Sequence, residues 1–574
     1  MEIQHDSSSE FAIPISYGSS EITQTGKWGF QKPETVFMTA PCQEACPAGI
    51  NIPQFLYFAN EGFYGEALLT ILKESPFPGI CGRVCFHPCE LSCNRARYDE
   101  SVSIHAMERY VSDATSKEMI ELLPLSAGNS NVAVVGAGPA GLSCVYFLSL
   151  LGHRVTIFEA RKEPGGVMRW GIPGYRLPKS ILKREIQRIL SLPIELRTRT
   201  KIGRDISFDE LSQFDAIFLS PGAGINVPLS LQGEKLGPVW KGGEFLEWIN
   251  SREKIKLGKE TIVIGGGNTA MDVARSALRL GSKVTVAYRR TRNEMPAIQD
   301  EIDEAEGEGV QFKFLIQPVK VDLLKNKRLA VRFRCMKLGG PDQSGRAKAI
   351  PVKGKFIIVK TDHLITAVGE QIDLSWIPEE FIKDGLIEKN PSPRIFAGGD
   401  AVDQPRTIVT AIGAGKRAAI SIDSFLRGDN GDSILSKIAV GGKGSLSMET
   451  YLQGRENGDW PEAKKVVSYE GINTLFFEPS KRARVRKRNR DKVPKNFSEV
   501  NLGYSAKEGK FSASRCFSCG TCNYCYNCYY FCPEGVISLD SAQRRRVVDF
   551  DHCKGCGTCA KACPRSVVEM KELP

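Results

Sequence analysis

The sequence predicts an α/β protein of several domains, in which one strand–glycine–helix unit occurs twice and a small cysteine-rich domain lies toward each end. Three observations carry this. The apolar run Asn131–Val135 leads straight into glycines and a helix-like segment, and the same order begins again at Thr261. Sixteen of the 18 cysteines fall in two groups, six between Cys42 and Cys93 and ten between Cys516 and Cys563. The length of 574 residues suits several domains rather than one.

An apolar content of 42% and 55 glycines are ordinary for a globular α/β chain. No segment approaches the ~20 apolar residues that span a bilayer. The start, MEIQHDSSSE, lacks the basic region and apolar core of a signal peptide, so a cytoplasmic protein with no membrane partner is expected. The net charge is +11, and much of it lies in the run Lys481–Lys492. Such a run can meet nucleic acid or an acidic partner. No nucleic-acid motif accompanies it, so it reads as a solvated linker and no nucleic-acid partner is expected. A large protein of a reducing compartment has little use for many disulfides, so the clustered cysteines point to metal. Cys144 and Cys335 stand apart in apolar or strand-like segments and read as packing residues.

Along the chain, residues 1–40 are polar with little periodicity and read as an N-terminal extension. A helical pattern runs from Ile52 to Lys73, with Phe55, Phe58, Phe63, Ala67, Leu68 and Leu72 on it, until Pro76, Pro78 and Gly79 stop it. The first glycine turn is Gly136-Ala-Gly138-Pro-Ala-Gly141, after the strand NVAVV. A second strand, VTIFEA, ends at Glu159, 23 residues past Gly136. The glycines allow a tight turn and close approach of backbone to a pyrophosphate, and the helix N-terminus offers its N–H groups to the phosphates. Glu159 can accept hydrogen bonds from ribose hydroxyls.

The second turn is Gly265-Gly-Gly267-Asn268-Thr269-Ala270, after TIVI. Here the same offset of 23 residues lands on Tyr288, followed by Arg289 and Arg290. Loss of the carboxylate removes a repulsion against a 2′-phosphate, and the guanidinium groups can hold that phosphate. NADP(H) is favoured over NAD(H). The alternative is that both arginines are surface charges at a strand end. A third element, Ile395-Phe-Ala-Gly-Gly399-Asp400 followed by a helix-like segment from Thr407, again lets backbone approach a ligand.

The segments VVGAGPAGL, GGVMRWGIPGYRLP, VIGGGNTAMDVAR, AYRRTRNEMPA and IFAGGDAV resemble the small subunit of bacterial glutamate synthase and its relatives. Those relatives include the electron-input half of dihydropyrimidine dehydrogenase and the large subunit of NADH-dependent ferredoxin:NADP oxidoreductase. The resemblance covers residues ~40–427. It implies that Gly136, Gly138, Gly141, Glu159, Gly166 and Asp400 hold FAD, with Gly399 and Thr407 beside them. It also implies that Gly265, Gly267, Arg289 and Arg290 hold the nicotinamide nucleotide, with Asn268 and Thr269 opening that helix. The expected domains are an extension (1–40), an α-helical iron–sulfur domain (41–125), a Rossmann-like FAD domain (126–225 and 362–427), a Rossmann-like NAD(P) domain inserted into it (226–361), a linker (428–510) and an α+β bacterial ferredoxin-like domain (511–574). The flavoprotein half shows no C-x-x-C pair, so a hydride would pass straight from nicotinamide to flavin without dithiol chemistry, and no catalytic acid or base is evident.

The C-terminal domain carries Cys522-x2-Cys525-x2-Cys528-x3-Cys532-Pro and Cys553-x2-Cys556-x2-Cys559-x3-Cys563-Pro, the two-cluster bacterial ferredoxin pattern. In it the fourth cysteine of each run binds the other cluster. One 4Fe–4S cluster then uses Cys522, Cys525, Cys528 and Cys563, and the other Cys553, Cys556, Cys559 and Cys532. Paired CxxC motifs leave zinc as the alternative. At the other end stand Cys42-x3-Cys46-Pro and Cys81-x3-Cys85-x3-Cys89-x3-Cys93, where Pro88 argues against one continuous helix. CGRVCFHPCELSC resembles the iron–sulfur segment of the glutamate synthase small subunit, two residues shorter, which implies a cluster on Cys46, Cys81, Cys85 and Cys89. That subunit also has a CxxC-Gly pair ahead of the segment matching Cys42 and Cys46. No cysteine precedes Cys42 here, whereas Cys516-Phe-Ser-Cys519-Gly stands unused before the first ferredoxin run. Cys42, Cys93, Cys516 and Cys519 are therefore expected to hold a fourth cluster; the alternative is that its second pair of ligands comes from another chain or is not cysteine.

The expected function is an FAD- and 4Fe–4S-dependent NAD(P)H:acceptor oxidoreductase, the electron-transfer subunit of a hetero-oligomer. Its partner would be ferredoxin or a catalytic redox subunit. Thr25-Gly-Lys-Trp28, with Pro33, resembles the lead-in of the ferredoxin subunit of 2-oxoacid oxidoreductases and makes such a complex a candidate. Two alternatives stand beside this: the glutamate synthase small subunit itself, against which the extra ferredoxin domain argues, and an iron–sulfur scaffold with vestigial nucleotide sites, against which the intact glycines argue.

Overall fold

The computed structural model describes residues 24–573, apart from 117, 119, 121, 123, 126–127, 129, 252–254, 343–344, 461–463, 489–495 and 541–544. The chain divides into two compact units, one of residues 41–464 and 480–516, the other of residues up to 40, 465–479 and from 517 onward.

The larger unit opens with short helices. The single helix expected over Ile52–Lys73 is two, Ile52–Glu61 and Tyr64–Leu72. Asn51 caps the first by accepting from the Gln54 N–H, and Gly62, at φ 84°, ends it in the left-handed region. Phe63 falls in that turn and is exposed rather than packed. The cysteine stretch is broken as Pro88 requires, into Pro78–Val84 and Pro88–Leu91.

Two parallel five-stranded sheets follow. The first runs Ile395–Ala397, Ala216–Leu219, Asn131–Val135, Arg154–Glu159 and Ile194–Thr198 in spatial order. Apart from the edge strand Ile194–Thr198, its strands are largely apolar and buried because helices cover the sheet. Helix Pro139–Leu150 is buried along most of its length and packs on helix Ile408–Arg427. Cys144, on the first of these helices, is fully buried, in keeping with a packing role.

The second sheet runs Gln311–Phe314, Lys283–Tyr288, Glu260–Ile264, His363–Thr366 and Val239–Lys241. The inserted domain therefore closes later than expected. Strand His363–Thr366 lies inside this sheet, beyond the boundary placed at 361, and the chain crosses back through the antiparallel pair Ile225–Asn226 and Glu370–Gln371. The run HLIT is apolar enough for either sheet, so local pattern could not assign it. A three-stranded antiparallel sheet of Ile316–Leu323, Leu329–Pro341 and Ala347–Thr361 completes the insertion.

Residues 428–510, expected to be a linker, are in large part packed structure. They carry helices Gly431–Lys437, Met448–Asn457 and Ala506–Ser514. Glu74 accepts from Ser447 Oγ and from the Met448 N–H, both at 2.8 Å, at the start of the second of these helices. Arg455 reaches Asp423 at 3.0 Å, and Tyr451 is buried. Glu499 takes Arg83 at 2.8 Å and Arg109 at 3.0 Å. The stretch looks irregular in sequence because its partners are distant polar groups, which leave no periodic trace. Nor is the basic run simply solvated. Arg482 donates to Glu90, Ser101 and Ser103, and Lys487 pairs with Glu304 at 2.6 Å. Residues 489–492 of the run lie outside the described residues.

The smaller unit joins distant parts of the chain. Strand Gln31–Thr35 pairs antiparallel with Val568–Glu572, and Ile537–Asp540 pairs with Arg545–Val548. Residues 24–40 are therefore not a separate extension. Thr25 Oγ1 donates to the His552 carbonyl at 2.6 Å, and Lys554 lies over the Trp28 ring.

Candidate functional site

The first glycine turn forms between Val135 and helix Pro139–Leu150, whose N-cap is Gly138. A Cβ on Gly141 would sit 1.8 Å from the Gly136 carbonyl oxygen, so only glycine lets helix and turn close. Around Gly138 a Cβ would meet nothing within 4 Å, which leaves a cradle open to a pyrophosphate. Gly166 folds back against it, since a Cβ there would lie 2.8 Å from the Gly138 Cα. Glu159 is buried at the strand end. Its carboxylate accepts from Ala137 N–H at 2.9 Å and Arg161 N–H at 2.8 Å, and burial raises its pKa against these bonds. Asp400 lies in the short turn Gly399–Ala401, its pKa raised by burial against the charge of Arg406. Thr407 caps the following helix by accepting from the Thr410 N–H at 3.2 Å. The arrangement fits FAD.

Sequence reasoning missed Lys179. Its ammonium donates to the carbonyls of Arg169 at 2.8 Å and Ile172 at 2.6 Å, which pins the loop of GGVMRWGIPG. The neighbouring Tyr175 and Arg176 reach into the inserted domain. The Tyr175 hydroxyl donates to the Asp272 carbonyl at 3.2 Å, and Arg176 pairs with Asp272 at 2.7 Å and Glu301 at 2.8 Å. Arg275 and Arg279 stack on the Tyr175 ring.

At the second turn, Gly267 caps helix Asn268–Arg279 and a Cβ on it would be free of close contact. Asn268 Oδ1 accepts from Ile298 N–H at 2.9 Å, and Thr269 is exposed in the first turn. The two arginines separate in role. Arg290 is buried, with its guanidinium held by Asp342 and by the Ala347 carbonyl at 2.7 Å. Arg289 is exposed at the strand end, without an ion-pair partner among the described residues.

The N-terminal cysteines lie on the short helices. Cys46, Cys81 and Cys89 are buried and Cys85 is nearly so. Burial pushes the Cys46 thiol up to about 11, and it raises Cys81, Cys85 and Cys89 as well. Cys89 is raised further by Cys46 and Cys85, which lie near it. A fifth group joins them. Glu108 is buried, which raises its own pKa well above the usual carboxylate range; its Oε1 has no hydrogen-bond partner among the described residues, and a charge on it raises Cys46, Cys81 and Cys85. An orphaned carboxylate oxygen among buried thiols fits a metal cluster better than packed apolar structure. One acid on an amphipathic helix gave no signal in the sequence. Cys93 opens the turn Asn94–Arg97, and the chain leading to Cys516 is fixed beside that segment. Arg515 donates to Asp99 at 3.0 Å, to the Glu100 carbonyl at 2.6 Å and to the Ser101 carbonyl at 3.1 Å.

In the smaller unit the cysteines sort into two sets. Burial pushes Cys528 up to about 11; Arg546 opposes this, and Cys522, Cys525 and Cys563 add to it. Cys553 and Cys559 are raised by burial, with Cys532 and Cys556 among the charges acting on Cys553. Cys532, Cys553, Cys556 and Cys559 line one small pocket with Pro533, Ile537 and Met570. Cys519 precedes Gly520, whose N–H donates to the Arg565 carbonyl at 2.9 Å.

Residues 130–415 match the pyridine nucleotide–disulphide oxidoreductase family, residues 37–120 the 4Fe–4S domain II of dihydropyrimidine dehydrogenase, and residues 521–568 a 4Fe–4S dicluster domain. The chain is 37% identical to the NADPH–Fe(3+) oxidoreductase subunit β of Geobacter sulfurreducens over 86% of its own length and 77% of that protein. It is 36% identical to the NADP(+)-dependent formate dehydrogenase subunit β of Moorella thermoacetica, over 84% and 71%. It is 33% identical to the glutamate synthase [NADPH] small chain of Escherichia coli, over 67% and 88%. No helix among the described residues is long and apolar enough to cross a membrane.

Proposed function

Since the chain belongs to the family of iron–sulfur flavoprotein oxidoreductases that includes the glutamate synthase small chain, we propose that it links NADPH to a partner redox subunit through FAD and four 4Fe–4S clusters. It is an electron-transfer enzyme subunit. The observation that carries the reading is the occurrence in one chain of two intact dinucleotide turns and sixteen clustered cysteines. When bound, the flavin accepts a hydride as a pair of electrons and releases them singly to clusters that carry one each. The chain's own residues do the placing. Glu159 and the turn at Gly138 hold the FAD ribose and pyrophosphate, Lys179 fixes the loop that follows, and Arg289 meets the 2′-phosphate of NADP(H). The relatives named for NADPH or NADP(+) support that preference.

The ferredoxin clusters take Cys522, Cys525, Cys528 and Cys563, and Cys553, Cys556, Cys559 and Cys532. The mutual influence of these thiols supports both sets. A third cluster uses Cys46, Cys81, Cys85 and Cys89, with the buried Glu108 beside them. A fourth uses Cys42, Cys93 and Cys516, with Cys519 three residues further along the chain. Its support within the larger unit is the anchoring of Arg515 on the segment that follows Cys93. The partner is a catalytic redox subunit or ferredoxin, with a 2-oxoacid oxidoreductase as one candidate.

Anaerobic titration of the reconstituted protein tests the proposal. NADPH should bleach the flavin absorbance and then the cluster absorbance, NADH should do so poorly, and about sixteen irons per chain should be found. A flavin that neither nucleotide bleaches would rule the reading out. The Cys516→Ser/Cys519→Ser protein should lose about four irons yet keep FAD and bleaching by NADPH. A full iron complement in it would remove the fourth cluster.

A further inference from the structure

His87 stands between Cys85 and Cys89 in a backbone state that its own sequence disfavours. It adopts φ 45°, ψ 58°, the left-handed region. A non-glycine residue is strained there, and the residue before a proline is driven toward extended conformations instead. Pro88 follows it. The strained state has one evident product. It turns the His87 N–H onto Cys85 Sγ at 3.2 Å. Backbone strain of this kind persists only where surrounding contacts hold it.

A stacked ring and a carboxylate supply those contacts. The His87 ring stacks on that of His105, centroids 4.3 Å apart and planes at 20°. Its Nδ1 lies 3.1 Å from the Cys85 carbonyl oxygen. His105 is fixed in turn by Glu90, whose Oε1 takes both His105 Nδ1 at 2.7 Å and His105 N–H at 3.1 Å. The other oxygen of Glu90 pairs with Arg482 at 2.5 Å. His87, Glu90 and His105 bring possible ligand atoms within 4.8 Å of one another, which by distance alone would suit a metal ion. The stacking argues against it, because near-parallel rings direct their in-plane lone pairs side by side rather than at one point. Arg482 adds a positive charge at the same carboxylate.

We propose that His105 is a positioning residue for the N-terminal iron–sulfur cluster: stacked on His87, it holds the amide that donates to Cys85 Sγ and so raises the reduction potential of that cluster. This rests on the reading of Cys85 as a ligand. A donor to a ligand sulfur stabilises the reduced, more electron-rich cluster, and hydrogen bonds to sulfur are among the levers that set such potentials. Without the stack His87 relaxes toward the extended region and its N–H leaves the sulfur.

The test is an EPR-monitored redox titration of the reconstituted full-length protein carrying His105→Ala or His105→Phe, with iron determined alongside. His105→Ala should keep its iron and FAD. One cluster signal should become harder to reduce, its reduced-to-oxidised ratio at the wild-type midpoint falling about tenfold, 59 mV for a one-electron couple. His105→Phe keeps a ring to stack and should restore that ratio to within about threefold of wild type. The inference is overturned if His105→Ala leaves every midpoint in place, if it loses about four irons, or if His105→Phe behaves like His105→Ala. Cys85→Ser separates the underlying reading. If that protein keeps all its iron and every signal, Cys85 is no ligand and the cluster assignment fails first.

Discussion

Lys416 and Glu74 form an ion pair in which the lysine side chain is 0% and the glutamate 3% exposed. Lys416 comes from the long helix that follows Asp400, Glu74 from the chain just after helix Tyr64–Leu72. The ammonium also donates to the Ala48 carbonyl at 2.5 Å, two residues beyond Cys46. One buried charge thus ties the helix that follows Asp400 to the loop behind Cys46.

Lys416→Met should therefore destabilise the larger unit by about 3–5 kcal/mol, the scale for stranding a buried charge. Adding Glu74→Gln should recover part of this, since the pair is then removed rather than broken. Urea unfolding followed by flavin fluorescence checks both. A double variant no better than the single one would show that Glu74 acts mainly through Ser447 and Met448.

Arg289 and Arg290 should give opposite phenotypes. Arg289→Ala should weaken NADP(H) binding by roughly 1.5–3 kcal/mol, the scale for a charged hydrogen bond, and leave NAD(H) binding and stability nearly unchanged. Arg290→Ala should lower stability, because Asp342 and the Ala347 carbonyl lose their partner. Nucleotide titration and thermal unfolding of the two proteins distinguish the roles. A wild-type preference for NAD(H) would contradict the first half.

Arg275 is fully buried against Glu301 at 2.6 Å, Glu304 at 2.8 Å and Glu308 at 2.7 Å. Arg275→Met removes the one cation these three acids share and leaves each with a single other ion-pair partner among the described residues, Arg176, Lys487 and Arg279 respectively. Its unfolding midpoint should fall, and the loss should ease as pH is lowered and Glu304 and Glu308, whose pKa values Arg275 helps hold down against burial, take up protons. Melting curves at two pH values test this, and a loss independent of pH would point to packing on Tyr175 instead.

Asp423 gives the converse pH signature. Burial would raise its pKa, but hydrogen bonds from His153 and Tyr451 and the charge of Arg455 outweigh it, and the net shift is downward. A carboxylate lowered in the folded state contributes stability that is present above its unfolded pKa, about 4, and is lost as pH falls through the folded value. Asp423→Asn should melt below wild type at pH 7, with the gap closing only below about pH 4. Flavin release on heating reports it. A gap that closes already near pH 6 would assign the effect to another group.

What could be read from the sequence was whatever chemistry fixes by local spacing. The turn from Gly136 to Gly141, the offset that puts Glu159 at one strand end and Arg289 at the other, and the paired ferredoxin runs each follow from geometry within a few dozen residues. Arg290 could not be told from Arg289, because its partner Asp342 lies 52 positions on, just past strand Leu329–Pro341 of another sheet. Glu108 was invisible for a like reason: its role depends on cysteines some 20–60 positions earlier. Residues 428–510 read as a linker because partners that organise them, such as Glu74 for Met448 and Arg83 for Glu499, stand hundreds of positions off in the chain.

Strand Gln31–Thr35 and its partner Val568–Glu572 are synthesised roughly 530 residues apart. At ribosomal speeds of about 5–20 residues per second, the first strand waits something like half a minute to two minutes for the second. Throughout that interval the flavin domain can already have folded, while the smaller unit has neither its outer sheet nor its cysteines. A nascent chain can therefore shape its dinucleotide turns well before the last strand of its second cysteine-rich unit exists to pair with the first.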